Sequence, residues 1–200
     1  MRELRLIIGI VVILISTTTM YGLPPEVVPD HLDMMMKSTY VAYDTAIRDV
    51  HFEISEMRDW QKDATVDVLL NELKAPKLES RVQAAYRLGE QKALSAESIN
   101  GLLSAIKDKS FLVRTNVIWA LGKSKVQSEA VLTGLIGALT DKNEHVRLNA
   151  TSALYGFGAG ARKAIPELKK LMKDDNEFVR EVAQVVSRHL EESTKQNRSK

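Results

Sequence analysis

Four arginines set the frame of this chain. Arg81, Arg114, Arg147 and Arg180 stand 33 residues apart. The same step joins Leu69, Leu102, Leu135 and Leu168, then Leu73, Ile106, Leu139 and Met172, and also Leu88, Leu121 and Leu154. Asp108, Asp141 and Asp174 follow it too. A period of this size excludes most architectures. Each unit is too small to bury its own apolar face, so units must stack on one another.

Within each unit the apolar residues recur at helical spacing. Leu102 and Ile106 are one turn apart on a first helix; Val113, Val117, Ala120 and Leu121 line a second. First helices are predicted at Ala64–Ala75, Ala96–Lys107, Glu129–Thr140 and Arg162–Lys173. Second helices are predicted at Lys77–Leu88, Phe111–Leu121, Glu144–Tyr155 and Glu177–Leu190. Ser95, Ser128, Ser110, Asn143 and Asn176 stand where caps are needed. Gly89, Gly122 and Gly156 mark ends of second helices. The fold class is all-α: an α-solenoid of about four antiparallel helix pairs over residues 64–190, with a disordered, frayed tail at 191–200.

The first 63 residues lie outside the repeat. Arg2 and Arg5 precede the apolar run Leu6–Ile15. That layout points to export, with residues 1–23 as a cleaved signal or a retained anchor that meets the membrane through residues 6–22. Pro24, Pro25 and Pro29 make a stiff spacer within residues 24–63. A long amphipathic helix is then predicted from about His31 to Trp60. Met36, Tyr40, Tyr43, Ile47, Val50, Ile54 and Met57 alternate steps of four and three, which is a heptad seam. Such a helix either caps the first repeat or forms a coiled-coil homodimer through 31–60. Met34, Met35 and Met36 read as soft core filler.

Charge is balanced overall, at +2, but unevenly placed. Residues 26–63 carry nine acidic and four basic side chains, a net of −5; residues 64–200 carry 22 basic and 16 acidic, a net of +6. The acidic stretch suits a basic neighbour. The absence of cysteine removes disulfides, thiolate metal sites and thiol nucleophiles.

The pattern Leu-x-x-x-Leu-x-Asp followed by Val-Arg-x-x-Ala-x-x-Ala-Leu, best kept at Leu102–Gly122 and Leu135–Leu154, resembles the HEAT-repeat family, in particular the short HEAT-like units found in bilin lyases. The first unit departs from it, with Ala75 in place of the aspartate and Ser80 ahead of Arg81. The resemblance implies that Asp108, Asp141 and Asp174, each six residues ahead of Arg114, Arg147 or Arg180, form with them a structural ladder that braces one unit against the next. The competing reading is a basic column for phosphates or carboxylates.

If Val113, Val117 and Leu121 face inward, the helical period turns Thr115 and Trp119 outward, with Val82, Tyr86, Leu148 and Ser152 as their row mates. Gln83, Tyr86, Asn116, Trp119 and Asn149 therefore form the candidate partner-binding row, suited to an extended peptide: aromatic rings supply area and amides pair with a backbone. No enzyme signature is present: no His-Glu-x-x-His, no phosphate loop and no nucleophile elbow. Glu144-His145 reverses the order used by HEAT-like di-iron hydroxylases. No metal and no cofactor is expected. The function read from the sequence is a non-enzymatic scaffold, exported and membrane-tethered or periplasmic, that binds a protein or peptide on the inner face. The alternatives are a lyase-like maturation factor for a prosthetic group and a nucleic-acid-binding HEAT-like protein. Export disfavours nucleic acid.

Overall fold

A computed structural model describes residues 64–124 and 126–198. The signal or anchor expected at 1–23 and the spacer and helix expected at 24–63 lie outside the described residues. Among those described, all regular structure is helical. The elements are α1 (Val66–Glu72), α2 (Leu78–Gly89), α3 (Ala96–Ala105), α4 (Phe111–Ser124), α5 (Glu129–Ala138), α6 (Glu144–Tyr155), a 3₁₀ segment (Gly158–Ala164), α7 (Ile165–Leu171) and α8 (Glu177–Arg198). They pair in chain order. Second helix packs on second helix, α2 on α4, α4 on α6 and α6 on α8, while α3 touches α1 and α5 in the other layer.

Local chemistry sets the helix starts. Thr65, Ser95 and Ser128 each accept the backbone N–H three residues on, and Asn143 accepts those of His145 and Val146. Each such cap stabilises its helix by roughly 1 kcal/mol because it satisfies an otherwise orphaned donor. The repeated leucines then fill the space between layers. Leu88, Leu102, Leu121, Leu135, Leu154 and Leu168 are fully buried. Each contributes on the order of 1.5–3 kcal/mol by leaving water.

Three features differ from the reading of the sequence. The fourth first helix does not run from Arg162. Residues 158–164 wind as 3₁₀, and the α-helix begins at Ile165 with Pro166 in its first turn. Proline has no N–H to give to an earlier turn, so the α-helix starts there. The tail expected from Glu191 is helical instead, since α8 runs on to Arg198. Helix-favouring Glu191, Glu192 and Lys195 continue it, and the Thr194 hydroxyl donates to the Leu190 carbonyl at 2.6 Å. Finally, α2 ends at Gly89 as expected, but α4 runs two residues past Gly122 to Ser124. Both are helical, and both sit where second helices touch. A Cβ on Gly89 would overlap the Trp119 ring, and one on Gly122 would fall 2.6 Å from Ala153 Cβ. Their value lies in the missing side chain.

Candidate functional site

The ladder comes first, because it shows which polar groups are already committed. Arg114 lies on α4 and is 5% exposed. Its Nη1 donates to the carbonyls of Asp108 and Lys109 in its own turn, at 2.9 and 3.3 Å. Its Nε and Nη2 donate to the Asp141 carboxylate of the next unit at 2.7 and 2.6 Å. The same fork joins Arg81 to Asp108 at 2.8 and 3.2 Å and Arg147 to Asp174 at 2.7 Å twice. Each aspartate also accepts a backbone N–H two residues on, from Ser110, Asn143 or Asn176. The arginine six residues ahead in sequence is therefore not the aspartate's carboxylate partner; that partner belongs to the preceding unit. Within a unit the arginine holds only the backbone of the turn.

Electrostatics agree with this geometry. Burial, the largest single influence on Asp141, acts to raise its pKa. The Arg114 hydrogen bond, the Asn143 N–H and the charges of Arg114 and Lys142 outweigh it and hold the carboxyl below its ordinary range. Asp174 is lowered in the same way, against burial, by Arg147, Asn176 N–H and the charge of Arg180. Arg147 is raised, first by its hydrogen bond to Asp174. Arg81, Arg114 and Arg147 thus each have their Nε–Nη2 edge and charge committed to an aspartate and are no basic column for a ligand. Arg180 differs. Its Nη1 donates to the Asp174 and Asp175 carbonyls at 2.6 and 3.0 Å, but among the described residues no carboxylate lies within ion-pair reach of it.

The proposed partner row is only partly a surface. Asn116 is buried, and its amide donates to the Leu112 carbonyl at 2.9 Å. Thr115, expected outward, is 6% exposed, and its row mates Val82 and Leu148 are buried as well. The reason is that α4 has neighbours on three sides: α2, α6 and the first-helix layer. Periodicity alone finds one buried stripe, whereas a middle helix buries most of its circumference. Asn149 is half-buried, with its amide on the His145 carbonyl at 2.8 Å. Gln83 is half-buried.

Tyr86 and Trp119 do come together. Their rings stack with centroids 5.2 Å apart and planes 12° from parallel. Tyr86 is 45% exposed, while Trp119 is half-buried over Gly89. Lys123 places its Nζ 4.8 Å from the Trp119 ring and pairs with Glu90 at 2.7 Å. Sequence reasoning missed both residues, although each lies one turn beyond its aromatic neighbour, Glu90 after Tyr86 and Lys123 after Trp119. It also missed Tyr155 and His189, which stack at 3.9 Å and 11° further along the same layer. They are one residue out of the 33-residue register, so no column marks them. Burial, then the charge of Glu192, raises the Tyr155 pKa.

The result is a face of flat rings edged by one ammonium and one carboxylate. It can stack a planar or apolar group and orient a charged one. Among the described residues no three His, Asp or Glu side chains gather to hold a metal ion.

These features define an α-solenoid: stacked antiparallel helix pairs clasped from unit to unit by arginine–aspartate forks. The HEAT-repeat profile matches residues 66–143 and again 124–187, more than half of the chain, and the chain belongs to the HEAT-repeat family. Among solved structures it is similar to the crystal structure of an engineered protein, with 20% identity and a TM-score of 0.49, covering 64% of this chain and 63% of that one. It therefore spans less than two thirds of that protein's length. Among curated proteins nothing matches.

Proposed function

We propose that this chain is a non-enzymatic interaction scaffold whose second-helix layer binds an extended segment of a partner protein across Tyr86 and Trp119. The observation that carries this reading is the Tyr86–Trp119 stack with Lys123 against it. Stacked rings give a large, rigid contact area at small entropic cost, and such residues dominate binding energy at interfaces. Membership of a repeat family whose members serve as interaction scaffolds supports the same reading. Gln83 flanks the rings as the amide available to a peptide backbone; Asn116 and Asn149 hold their own helices instead.

Export belongs to the same proposal. Arg2 and Arg5 ahead of Leu6–Ile15 support an inner-membrane tether or a cleaved signal, with the repeats outside the cytoplasm. Among the described residues no helix is long and apolar enough to cross a membrane. The heptad seam at 31–60 supports either a cap or a homodimer. Cell fractionation tests the location, and recovery in the cytosol refutes it. A photo-crosslinking residue at Gln83 tests the face. The proposal expects one discrete crosslinked protein, lost in Tyr86→Ala with helicity and melting unchanged. Crosslinks that persist in Tyr86→Ala remove the proposed face.

A further inference from the structure

Among the described residues the ladder is open at one end. Arg81, Arg114 and Arg147 share one construction. Nη1 is pinned by carbonyls of the preceding turn, and the Nε–Nη2 edge grips a carboxylate two-pronged at 2.6–3.2 Å. Arg180 has the first half of that construction, with Nη1 on Asp174 and Asp175. Pinning Nη1 restricts the plane of the guanidinium, so the Nε–Nη2 edge, with no carboxylate on it among the described residues, is preset before anything binds there. Arg180 is half-buried at the start of α8, and no unit follows it among the described residues.

We propose that Arg180 is a docking point for the carboxylate of an aspartate in a helix-opening turn of another protein. The occupant is defined by the three forks already filled. In each, the carboxylate comes from Asp-x-Ser or Asp-x-Asn: Asp108-Lys109-Ser110, Asp141-Lys142-Asn143 and Asp174-Asp175-Asn176. Its oxygens are also held by the N–H two residues on. A carboxylate fixed in this way meets the planar fork without losing freedom, and bidentate pairing with arginine is the strong form of such a contact. A second copy of this chain does not fit, because its leading unit carries Ala75 where the aspartate would stand.

The rest of the outer face of α8 is mostly polar, with Val185 as its exposed apolar residue. Glu181, Gln184 and Arg188 are exposed there, at positions one period after Leu148, Thr151 and Tyr155. Val185 offers little apolar area and no ring stacks there, so binding is weak, reversible and sensitive to salt. The site lies on the open end of the solenoid, apart from Tyr86 and Trp119, and stands or falls independently of that face.

The test uses the full chain labelled with nitrogen-15, and a helix-stabilised peptide copying residues 138–156, which contains Asp141 and Asn143. The Arg180 Nε–H resonance is expected to shift saturably. Those of Arg81, Arg114 and Arg147 stay still, because their forks are filled. The peptide carrying Asp141→Asn should bind at least about tenfold more weakly, the loss expected for one charge-assisted fork. Arg180→Lys in the protein, which keeps the charge and loses the fork, should abolish the accompanying shifts of the backbone N–H resonances of Asn176 and Glu177, which both proteins carry. No shift at millimolar peptide overturns the proposal. So does an equal shift with the Asn peptide, or with acetate at the same concentration, since either would mean that no aspartate turn is recognised.

Discussion

Asp141→Asn is the substitution that tests the ladder most directly. In the folded chain the Asp141 side chain is 14% exposed and that of Arg114 6%. Asparagine keeps the size, and its single carbonyl oxygen can still accept from one donor. It removes the charge and one of two acceptors, leaving an arginine donor facing an amide NH2. Breaking a buried pair from one side costs about 3–5 kcal/mol, because the remaining charge is left uncompensated. Arg114 keeps two backbone carbonyls, which places the expected loss near 3 kcal/mol. Arg114→Met alone leaves the carboxylate buried and should cost a similar amount. The double variant leaves neither charge, so its loss should fall short of the sum by about 2 kcal/mol. Urea unfolding at pH 7 reads each value from the midpoint, with an unchanged slope showing that the same structure unfolds. Arg180→Gln is the internal contrast: with no carboxylate to lose, it should cost less than about 1 kcal/mol. Strict additivity of the Arg114 and Asp141 losses would refute the ladder as a coupled clasp. An Arg180 loss as large as the others would refute the account of its open end.

Stability should also depend on pH through the same carboxylates. Asp141 and Asp174 lie below their ordinary value of 3.8 when folded, so the unfolded chain takes up protons first as pH falls. Their contribution is present in full above that value and is lost as pH drops through it towards the folded pKa; melting temperature between pH 6 and 3 measures it, and Asp141→Asn plus Asp174→Asn should flatten the acid limb. Thr115 Oγ1 is buried without a hydrogen-bond partner, so the isosteric Thr115→Val should stabilise by about 1 kcal/mol in urea unfolding. Two glycines should respond in opposite directions. Gly137→Ala meets nothing within 4 Å and should stabilise by about 0.5–1 kcal/mol. Gly122→Ala meets Ala153 at 2.6 Å; an overpacking cost of about 1–3 kcal/mol should outweigh the propensity gain and lower the thermal midpoint.

What the sequence made legible was whatever repeats. The columns of Leu88, Leu121 and Leu154, the caps at Ser95, Ser128 and Asn143, and the helix pairing follow from a local rule stated several times over. The site was less legible, for two physical reasons. Burial around a helix depends on how many neighbours it has, and α4 has them on three sides, so Thr115, opposite the Val113–Val117–Leu121 stripe, and Asn116, flanking it, are both inside. The partner of a charged side chain depends on the distance between units, not along the chain. Hence Asp108 serves Arg81, 27 residues before it, although Arg114 is nearer in sequence. The Gly122 reading as a helix end failed in the same way, since what that glycine accommodates, Ala153, lies on the next helix.

The division between repeated and unrepeated residues also bears on function. A column present in every unit is bound by the stacking that every unit must achieve, and the arginine forks show this: three of four have their Nε–Nη2 edge on an aspartate of the next unit. Side chains that depart from the period carry no such duty. Tyr86 and Trp119 become Ser152 and then Val185, so the ring pair exists at one junction only. Tyr155 and His189 meet out of register at another. Arg180 keeps the repeated chemistry, with no following unit among the described residues to use it. In a chain whose regular features are spent on holding helix pairs together, both proposed contacts fall on these exceptions, and because the aromatic face and the charged end are separate, the proposals predict two contacts that can be made at once.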